Sequence, residues 1–521
     1  MKQTKIWNII CCILWGLLAA VEGLTYFTIS RLNMLPDQYM MLLGGGLLIL
    51  WVLMGLLLIP GKNNTGSVRR IVAAFLILVI CIGCSVLVTV VSDVYETMQG
   101  VLGSQPGTED IKPKRGVYVL DTDQAHSIGD AKNYVFALVE NFDTANVQQV
   151  LNAIGSVNGK SPVTKAYGSL TAMVDGLYTK EVNAIIVSEA NLMVLEADDD
   201  YADIRDRVRL LYEVEIVEQL PPPTTQPTNP DETEPPTEAP TVPDMTAPSI
   251  QEPEGITNTP FLVYIAGSDT RSHYLYSSRN DVNILAVVNP VTKQVLLINT
   301  PRDYFVKNPA GNDIRDKLTH CGIYGVENSA LALGNLYGDR VDYYAQINFD
   351  GFKTFIDAIG GVTVYSDVSF KAGQTYISKG ENQLNGEQAL AFARERYNLS
   401  GGDVSRGENQ MKVIRAVIQK MTSGTTVITR YAEILDSLKG MFSTNITMDE
   451  ISQLVKMQLG DMESWDILTY SVGGYGDMEI TYSDPGRELY VMWPDNEDVA
   501  KATELIDRVI AGEVLTKDDL K

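Results

Sequence analysis

Along the N-terminal stretch, polar and apolar residues alternate in long blocks rather than in faces. Uninterrupted apolar runs occupy about residues 6–29, 39–59 and 71–91. Each comes near the ~20 residues a helix needs to cross a bilayer. Lys2 and Lys5 precede the first run, and Lys62, Arg69 and Arg70 fill the loop between the second and third, whereas the intervening loop carries only Arg31 and Asp37. Basic loops stay cytoplasmic, so the N-terminus is expected inside and everything after about residue 92 outside. Two more spans follow the first run and no small-residue cleavage site is evident, so it does not read as a removable leader. Glu22, an ionisable residue within a span, is a functional candidate by default, but its place near the outer end of the run favours a solvated or interfacial carboxylate.

Beyond residue 92 the pattern shortens. Residues 93–112 form a polar connector. Residues 113–219 read as a small mixed α/β accessory domain, with strand patterns at 117–120 and 184–187 and helical ones at 131–140 and 147–154. The segment 172–187 resembles a stretch of one lobe of solute-binding proteins, without a ligand motif. Residues 220–256 are rich in Pro and Thr, with eleven prolines between 221 and 253. That composition forms no core and predicts a semi-rigid tether.

The last domain is placed at 257–515. The runs FLVYIA (261–266), VNILAVV (282–288) and QVLLIN (294–299) predict three strands, the second and third joined by a turn at Pro290. Helices follow at 328–337 and 351–359, the latter stopped by Gly360-Gly361, with strands at 341–348 and 362–365. Asn385 and Gln388 have capping-box spacing. A long amphipathic helix spans 406–421, and the remainder, with Trp465-Asp466-Ile467-Leu468 and a closing helix near 498–511, completes the domain. The fold class is therefore α/β: a three-helix membrane anchor, an α/β accessory domain and a C-terminal three-layer α/β/α domain with a mixed sheet.

Composition narrows the chemistry. Net charge is −24, with 41 Lys and Arg against 65 Asp and Glu, which excludes broad nucleic-acid binding and makes any arginine cluster informative. Three histidines leave little for zinc. Of five cysteines, Cys11, Cys12, Cys81 and Cys84 lie in apolar runs and read as packing residues, and Cys321 stands alone, so no disulfide framework is expected.

If the three strands alternate in direction, the ends of the first and third meet the start of the second. Asp269, Arg271, Asp281, Arg302 and Asp303 then gather at one sheet edge, with Arg279 beside them. Carboxylates suit a hard cation such as Mg²⁺, and guanidinium forks suit phosphate oxygens. Arg394 and Arg396 share a side only if their segment is extended. Arg406 and Gln410 share a face at a helix start, where anions are favoured. Any one of these residues alone reads as an ordinary loop ion pair or solvated charge.

Together these residues resemble the LytR–CpsA–Psr family of cell-wall glycopolymer ligases. The resemblance rests on nine fragments in order, among them Gly267-Ser268-Asp269-Thr270-Arg271, Arg279-Asn280-Asp281, Pro301-Arg302-Asp303, Lys317-Leu318-Thr319-His320, Arg394-Glu395-Arg396 and Asp403 with Arg406. It departs at Asn280, where Ser is commoner, and at Cys321. It implies a polyprenyl-pyrophosphate-linked glycopolymer as substrate, with its tail in an apolar cavity, and peptidoglycan as acceptor. It implies Mg²⁺ (or Mn²⁺) on Asp269 and Asp281, pyrophosphate contacts from Arg271, Arg279, Arg302, Lys317, Arg394, Arg396, Arg406 and Gln410, and catalytic roles for Arg302, Asp303, Arg394, Arg396 and Asp403, with Asp403 orienting the arginines. The product would be a phosphodiester. Asp303, Asp403 and His320 are all candidate bases, with a structural role favoured for His320. Hydrolysis of the same lipid, and a non-enzymatic receptor sensing a ligand through residues 116–217, stand as alternatives.

Overall fold

The computed structural model describes residues 2–59, 67–102, 114–140, 144–196, 198, 200–216, 255–268, 275, 277–311, 313–396, 403–423 and 430–521. The tether lies outside this set.

Helices α1 (Lys2–Leu32), α2 (Asp37–Leu58) and α3 (Ser67–Leu102) are each long and apolar enough to cross a membrane. The Trp15 and Trp51 rings stack with centroids 4.3 Å apart. Each indole N–H donates to the other residue's carbonyl, at 3.0 and 3.3 Å. Glu22 is 5% exposed, so the solvated carboxylate expected there is instead buried in the bundle. Helix neighbours supplied by tertiary packing cover it, which no single apolar run reveals.

The accessory domain orders its strands β3–β2–β4–β1–β5. These are β1 (Lys114–Leu120), β2 (Val135–Val139), β3 (Val163–Tyr167), β4 (Ala184–Val187) and β5 (Val208–Glu215), with α4 (Thr144–Asn158), α5 (Leu170–Tyr178), α6 (Glu189–Glu196) and α7 (Ile204–Arg207) between them. Residues 131–140, expected as helix, instead hold strand β2. Its Val-Phe-Ala-Leu-Val run is covered on both faces, with Ala137 and Val139 in one core and Phe136 in the other. A strand buried on both sides shows no two-residue alternation, which is why its pattern misleads.

In the last domain, β6 (Phe261–Ser268), β7 (Asn280–Asn289) and β8 (Gln294–Asn299) run antiparallel in sequence. The β7–β8 turn closes when Asn289 Oδ1 accepts the Val291 and Thr292 N–H groups, with Lys293 left-handed. Next come β9 (Phe305–Lys307), β10 (Arg315–Lys317), α8 (Leu318–Cys321), α9 (Val326–Tyr337), β11 (Tyr343–Asn348) and α10 (Phe349–Ala358). A small unit of β12 (Val362–Ser366), β13 (Phe370–Ala372), β14 (Thr375–Ile377) and β15 (Gly380–Leu384) leads into α11 (Gly386–Arg394) and α12 (Asp403–Thr422). The chain then forms α13 (Tyr431–Leu438), β16 (Phe442–Thr444), α14 (Met448–Asp461), β17 (Asp466–Ser471), β18 (Gly474–Ile480), β19 (Glu488–Pro494) and α15 (Asn496–Ile510).

The central sheet runs β16–β11–β6–β7–β8–β17, with β11 parallel to β6 and β17 parallel to β8, so it is mixed. Strand alternation splits its core in two. Leu262, Tyr264, Leu285 and Leu296 pack on α9 and α15, while Phe261, Val263, Ile284 and Leu297 face α12 and α14. This is the expected three-layer domain. A third core lies between α10, α11, α12 and the β12–β15 unit.

Several contacts among the described residues tie the domains together. Lys456 pairs with Asp37 at 2.8 Å, and Met448 and Ile451 of α14 pack with Met34, Val94 and Met98. On the accessory side, Arg487 bridges Asp198 and Asp484.

Candidate active site: an arginine-lined cavity

The antiparallel pairing does what the strand pattern predicts. Gly267 lies opposite Val282, and Ser268 opposite Asn280 across a bulge. A Cβ on Gly267 would fall 2.6 Å from Val282 Cγ2, so only glycine permits this approach. The end of β8 reaches the same edge, where the Thr300 N–H donates to the Asn283 carbonyl.

A buried polar network holds this edge. Asn280 is wholly buried and donates to Tyr264 Oη at 3.2 Å and Ser329 Oγ at 3.3 Å, while its Oδ1 accepts from Gln346 at 3.0 Å. The Tyr264 hydroxyl in turn donates to Asn283 Oδ1 at 2.7 Å. Burial pushes that phenol well above its ordinary value, so it remains a donor. Buried polar groups are costly unless paired, so a satisfied network of this kind fixes the backbone on either side of Asn280.

Next to it, Arg302 Nη1 donates to Asp281 Oδ1 at 2.7 Å. Thr319 Oγ1 reaches the same oxygen at 3.4 Å, and its N–H donates to the Arg302 carbonyl at 2.8 Å. Thr319 had no assigned role in the sequence reading. Its place in the Lys317-Leu318-Thr319-His320 fragment was the available signal.

Asp281 and Arg302 line a cavity of about 360 Å³ with Arg394, Arg396, Arg406 and Gln410. Four arginines thus face one aspartate within a chain of net charge −24. Its apolar wall includes Ile265, Val282, Ile347, Phe352, Leu390 and Ile414. Arg394 is the last residue of α11 and Glu395 is already extended, so the helix ends inside the Arg-Glu-Arg fragment. The guanidinium of Arg394 lies over the Phe349 ring, 4.5 Å from its centroid. Phe349, too, had no assigned role, although it opens the Phe349-Asp350-Gly351-Phe352 fragment, one of the nine.

Other expected residues sit beside the cavity or elsewhere. Lys317 Nζ pairs with Asp303 Oδ1 at 3.1 Å, and the other Asp303 oxygen lies 3.7 Å from Arg302 Nε. Neither Lys317, Asp303 nor Arg279 lines the cavity. Asp303, expected as catalytic, and Lys317 and Arg279, expected at the phosphates, therefore lie outside the cavity lining, with Asp303 and Lys317 paired next to Arg302. His320 Nδ1 lies 2.8 Å from Asp316 Oδ1. Asp316 is wholly buried and also accepts from Asn308 and Ser483, which ties His320 into a buried polar cluster outside the cavity lining. Asp269 and Arg271 lie outside the described residues. Asp403 heads α12, but its side chain also lies outside them.

Among known proteins, the model of the LytR_cpsA_psr family matches residues 231–493, half of this chain. The chain belongs to the LytR_cpsA_psr family. Its similar relatives include the polyisoprenyl-teichoic acid–peptidoglycan teichoic acid transferase TagU of Enterococcus faecalis, 34% identical over 197 residues that make up 37% of this chain. The match covers 64% of that protein, slightly under two thirds of its length. TagU of Oceanobacillus iheyensis is 32% identical over 222 residues, covering 41% of this chain and 67% of that one. The crystal structure of Bacillus subtilis TagU matches at 26% identity and a TM-score of 0.39, over 50% of this chain and all of that chain. Within this LytR_cpsA_psr domain, the cavity collects Arg302 from the turn after β8, Arg394 and Arg396 from the end of α11 and the residues just past it, and Arg406 from the start of α12.

Proposed function

We propose that the chain transfers a glycopolymer from a polyprenyl-pyrophosphate carrier to a hydroxyl of peptidoglycan, forming a phosphodiester. One observation carries this reading: a single cavity joins four arginines to an apolar wall, which suits a ligand that is a diphosphate at one point and a hydrocarbon beside it. The relatives' names, as teichoic acid transferases acting between a polyisoprenyl carrier and peptidoglycan, point the same way.

In the reaction the acceptor oxygen forms a new bond to the phosphorus bearing the polymer, and the P–O bond to the second phosphate breaks. The lipid phosphate leaves, and the acceptor hydroxyl proton goes to a base. Arg302, Arg394, Arg396 and Arg406 neutralise charge on the diphosphate and on the departing phosphate. Asp281 and Asp303 hold the Arg302 fork in place, and Phe349 supports that of Arg394. Asp403, which begins the helix bearing Arg406, is proposed to orient the arginines.

Among the described lining residues Asp281 is the one carboxylate, and no group of three or more His, Cys, Asp or Glu that could hold a metal is found among the described residues, so a hard cation there would need a further carboxylate. Mg²⁺ (or Mn²⁺) is proposed to bind Asp281 together with Asp269. When bound, it would supply further charge neutralisation at the phosphates. The basic residues at one end of the bundle favour a cytoplasmic N-terminus with both later domains outside. An impermeant thiol reagent should then label a cysteine engineered into the tether of intact cells, and protection of that cysteine would reverse the orientation.

The test of function is product analysis of the full chain with lipid-linked glycopolymer. Transfer predicts release of polyprenyl phosphate that depends on peptidoglycan and a phosphodiester-linked product. Equal release without peptidoglycan would replace the transferase with a hydrolase.

A further inference from the structure

A second cavity, of about 560 Å³, lies at the opposite extreme of the chain, where the start of α1, the end of α2 and the start of α3 meet. Trp15, Trp51, Val52, Leu56 and Ile59 make it apolar, and Arg70 is its one charged lining residue. Arg70 is only 6% exposed. Its Nη2 donates to Asn8 Oδ1 at 2.7 Å and approaches Cys11 Sγ at 3.3 Å, and among the described residues its buried Nε has no partner.

A guanidinium buried in apolar surroundings is costly unless an anion meets it. The bundle supplies none. The only acidic residues among the first 102 are Glu22, Asp37, Asp93 and Glu96, and the loop at 60–66 contains no acid. Glu22 stands 14 residues beyond Asn8 on α1, about 21 Å at the helical rise of 1.5 Å per residue. Asp37 begins α2, whereas the cavity is at its end. Asp93 and Glu96 lie near the far end of α3. The missing charge must come from a ligand, and the walls around it are those of a hydrocarbon site.

We propose that this cavity binds a phosphate-bearing membrane lipid, with the phosphate on Arg70 and Asn8 and a chain along the Trp15–Trp51 wall. The proposal rests on the three helices lying in a bilayer, and it is independent of the transferase reading. The position of Arg70 in the first turn of α3 adds the favourable helix N-terminus to its own charge. Phosphate, not carboxylate, is the anion of the common acidic membrane lipids, and a guanidinium fork meets it bidentately.

The test is native mass spectrometry of the detergent-solubilised full chain with phosphatidylglycerol, with diacylglycerol of the same tails, and with inorganic phosphate. Phosphatidylglycerol should be retained, and neither of the others should bind or displace it. Arg70→Gln should lower retention by about tenfold, the effect of losing a charge-assisted contact of about 1.4 kcal/mol. Val52→Trp, which narrows the cavity and leaves Arg70 untouched, should lower it as well, and it decides the matter if Arg70→Gln does not give a monodisperse protein. Unchanged retention in the variants, or equal retention of diacylglycerol, would reduce the cavity to ordinary lipid contact. Displacement by inorganic phosphate would make it a free-anion site instead.

Discussion

Gly386 begins α11, and Arg394 ends it. A Cβ added at Gly386 would fall 2.7 Å from the Lys353 Cα and closer still to the Lys353 carbonyl oxygen. Carbon atoms ordinarily approach to about 3.5–4.0 Å, so Gly386→Ala requires a shift of about 1 Å between α10 and α11. No side-chain rotation relieves the overlap, because the obstructing atoms are backbone. The Gly386 N–H also donates to Asp357 Oδ1 at 2.8 Å, so the helix start is held from both sides. Overpacking of this kind costs about 1–3 kcal/mol. In a domain of this size that corresponds to a fall in thermal midpoint of about 2–4 °C per kcal/mol. The functional consequence is larger. A nine-residue helix moves as a unit, so Arg394 leaves its place over Phe349. Misplacement by 1 Å at a reacting centre can cost on the order of 10²-fold in rate. The assay is transfer of radiolabelled glycopolymer to peptidoglycan by the full chain, read beside far-UV circular dichroism and the thermal midpoint. Glu387→Ala, on the same helix and 77% exposed, is the control and should leave transfer unchanged. If Gly386→Ala keeps wild-type transfer and its thermal midpoint, α11 does not position the site and the reasoning fails.

Three further outcomes are expected. Arg394→Lys and Arg396→Lys should lose most transfer with little change in thermal midpoint, because a lysine keeps the charge but not the bidentate fork; near-normal transfer in both would make the pair ordinary surface charge. Asp281→Asn should weaken the Arg302 bond by about 1 kcal/mol and lower metal affinity, and calorimetry with Mg²⁺ and lipid pyrophosphate that matches wild type would remove Asp281 from the metal site. At the domain contact, the Arg487 guanidinium holds the Asp198 carboxyl below its usual range, while burial pushes that of Asp484 up. The lowered Asp198 value means that its pairing stabilises fully above the ordinary aspartate range and fades as pH falls through the lowered value; the raised Asp484 carboxyl takes up its proton earlier on the way down and needs Arg487 less once neutral. Arg487→Ala should therefore cost about 2 kcal/mol at pH 7 by chemical denaturation and distinctly less in acid, and an equal cost at both would show that the contact is not electrostatic.

Local chemistry accounts for what the sequence determined by itself. The Asn385 and Gln388 capping box closes reciprocally as its spacing requires, and Gly360 and Gly361 both take left-handed backbone at φ 81° and 77° after α10. Strands β7 and β8 run antiparallel because the short turn between them leaves no other choice, and this brings Asp281 at the start of one beside Arg302 just past the end of the other. Tertiary structure decided matters that depend on what covers a segment or faces a charge. Strand β2 was masked as a helix because both of its faces are buried, and Glu22 lost its solvent to helices far away in the chain. Lys317 satisfies Asp303 beside the cavity rather than within it, since a lysine's position in a motif does not say which carboxylate it will meet. Arg302 and Arg406 stand more than a hundred residues apart, and only the packing of α12 across the sheet places both on one cavity. Charge type is written in the sequence, but the partner of each charge is a property of the fold.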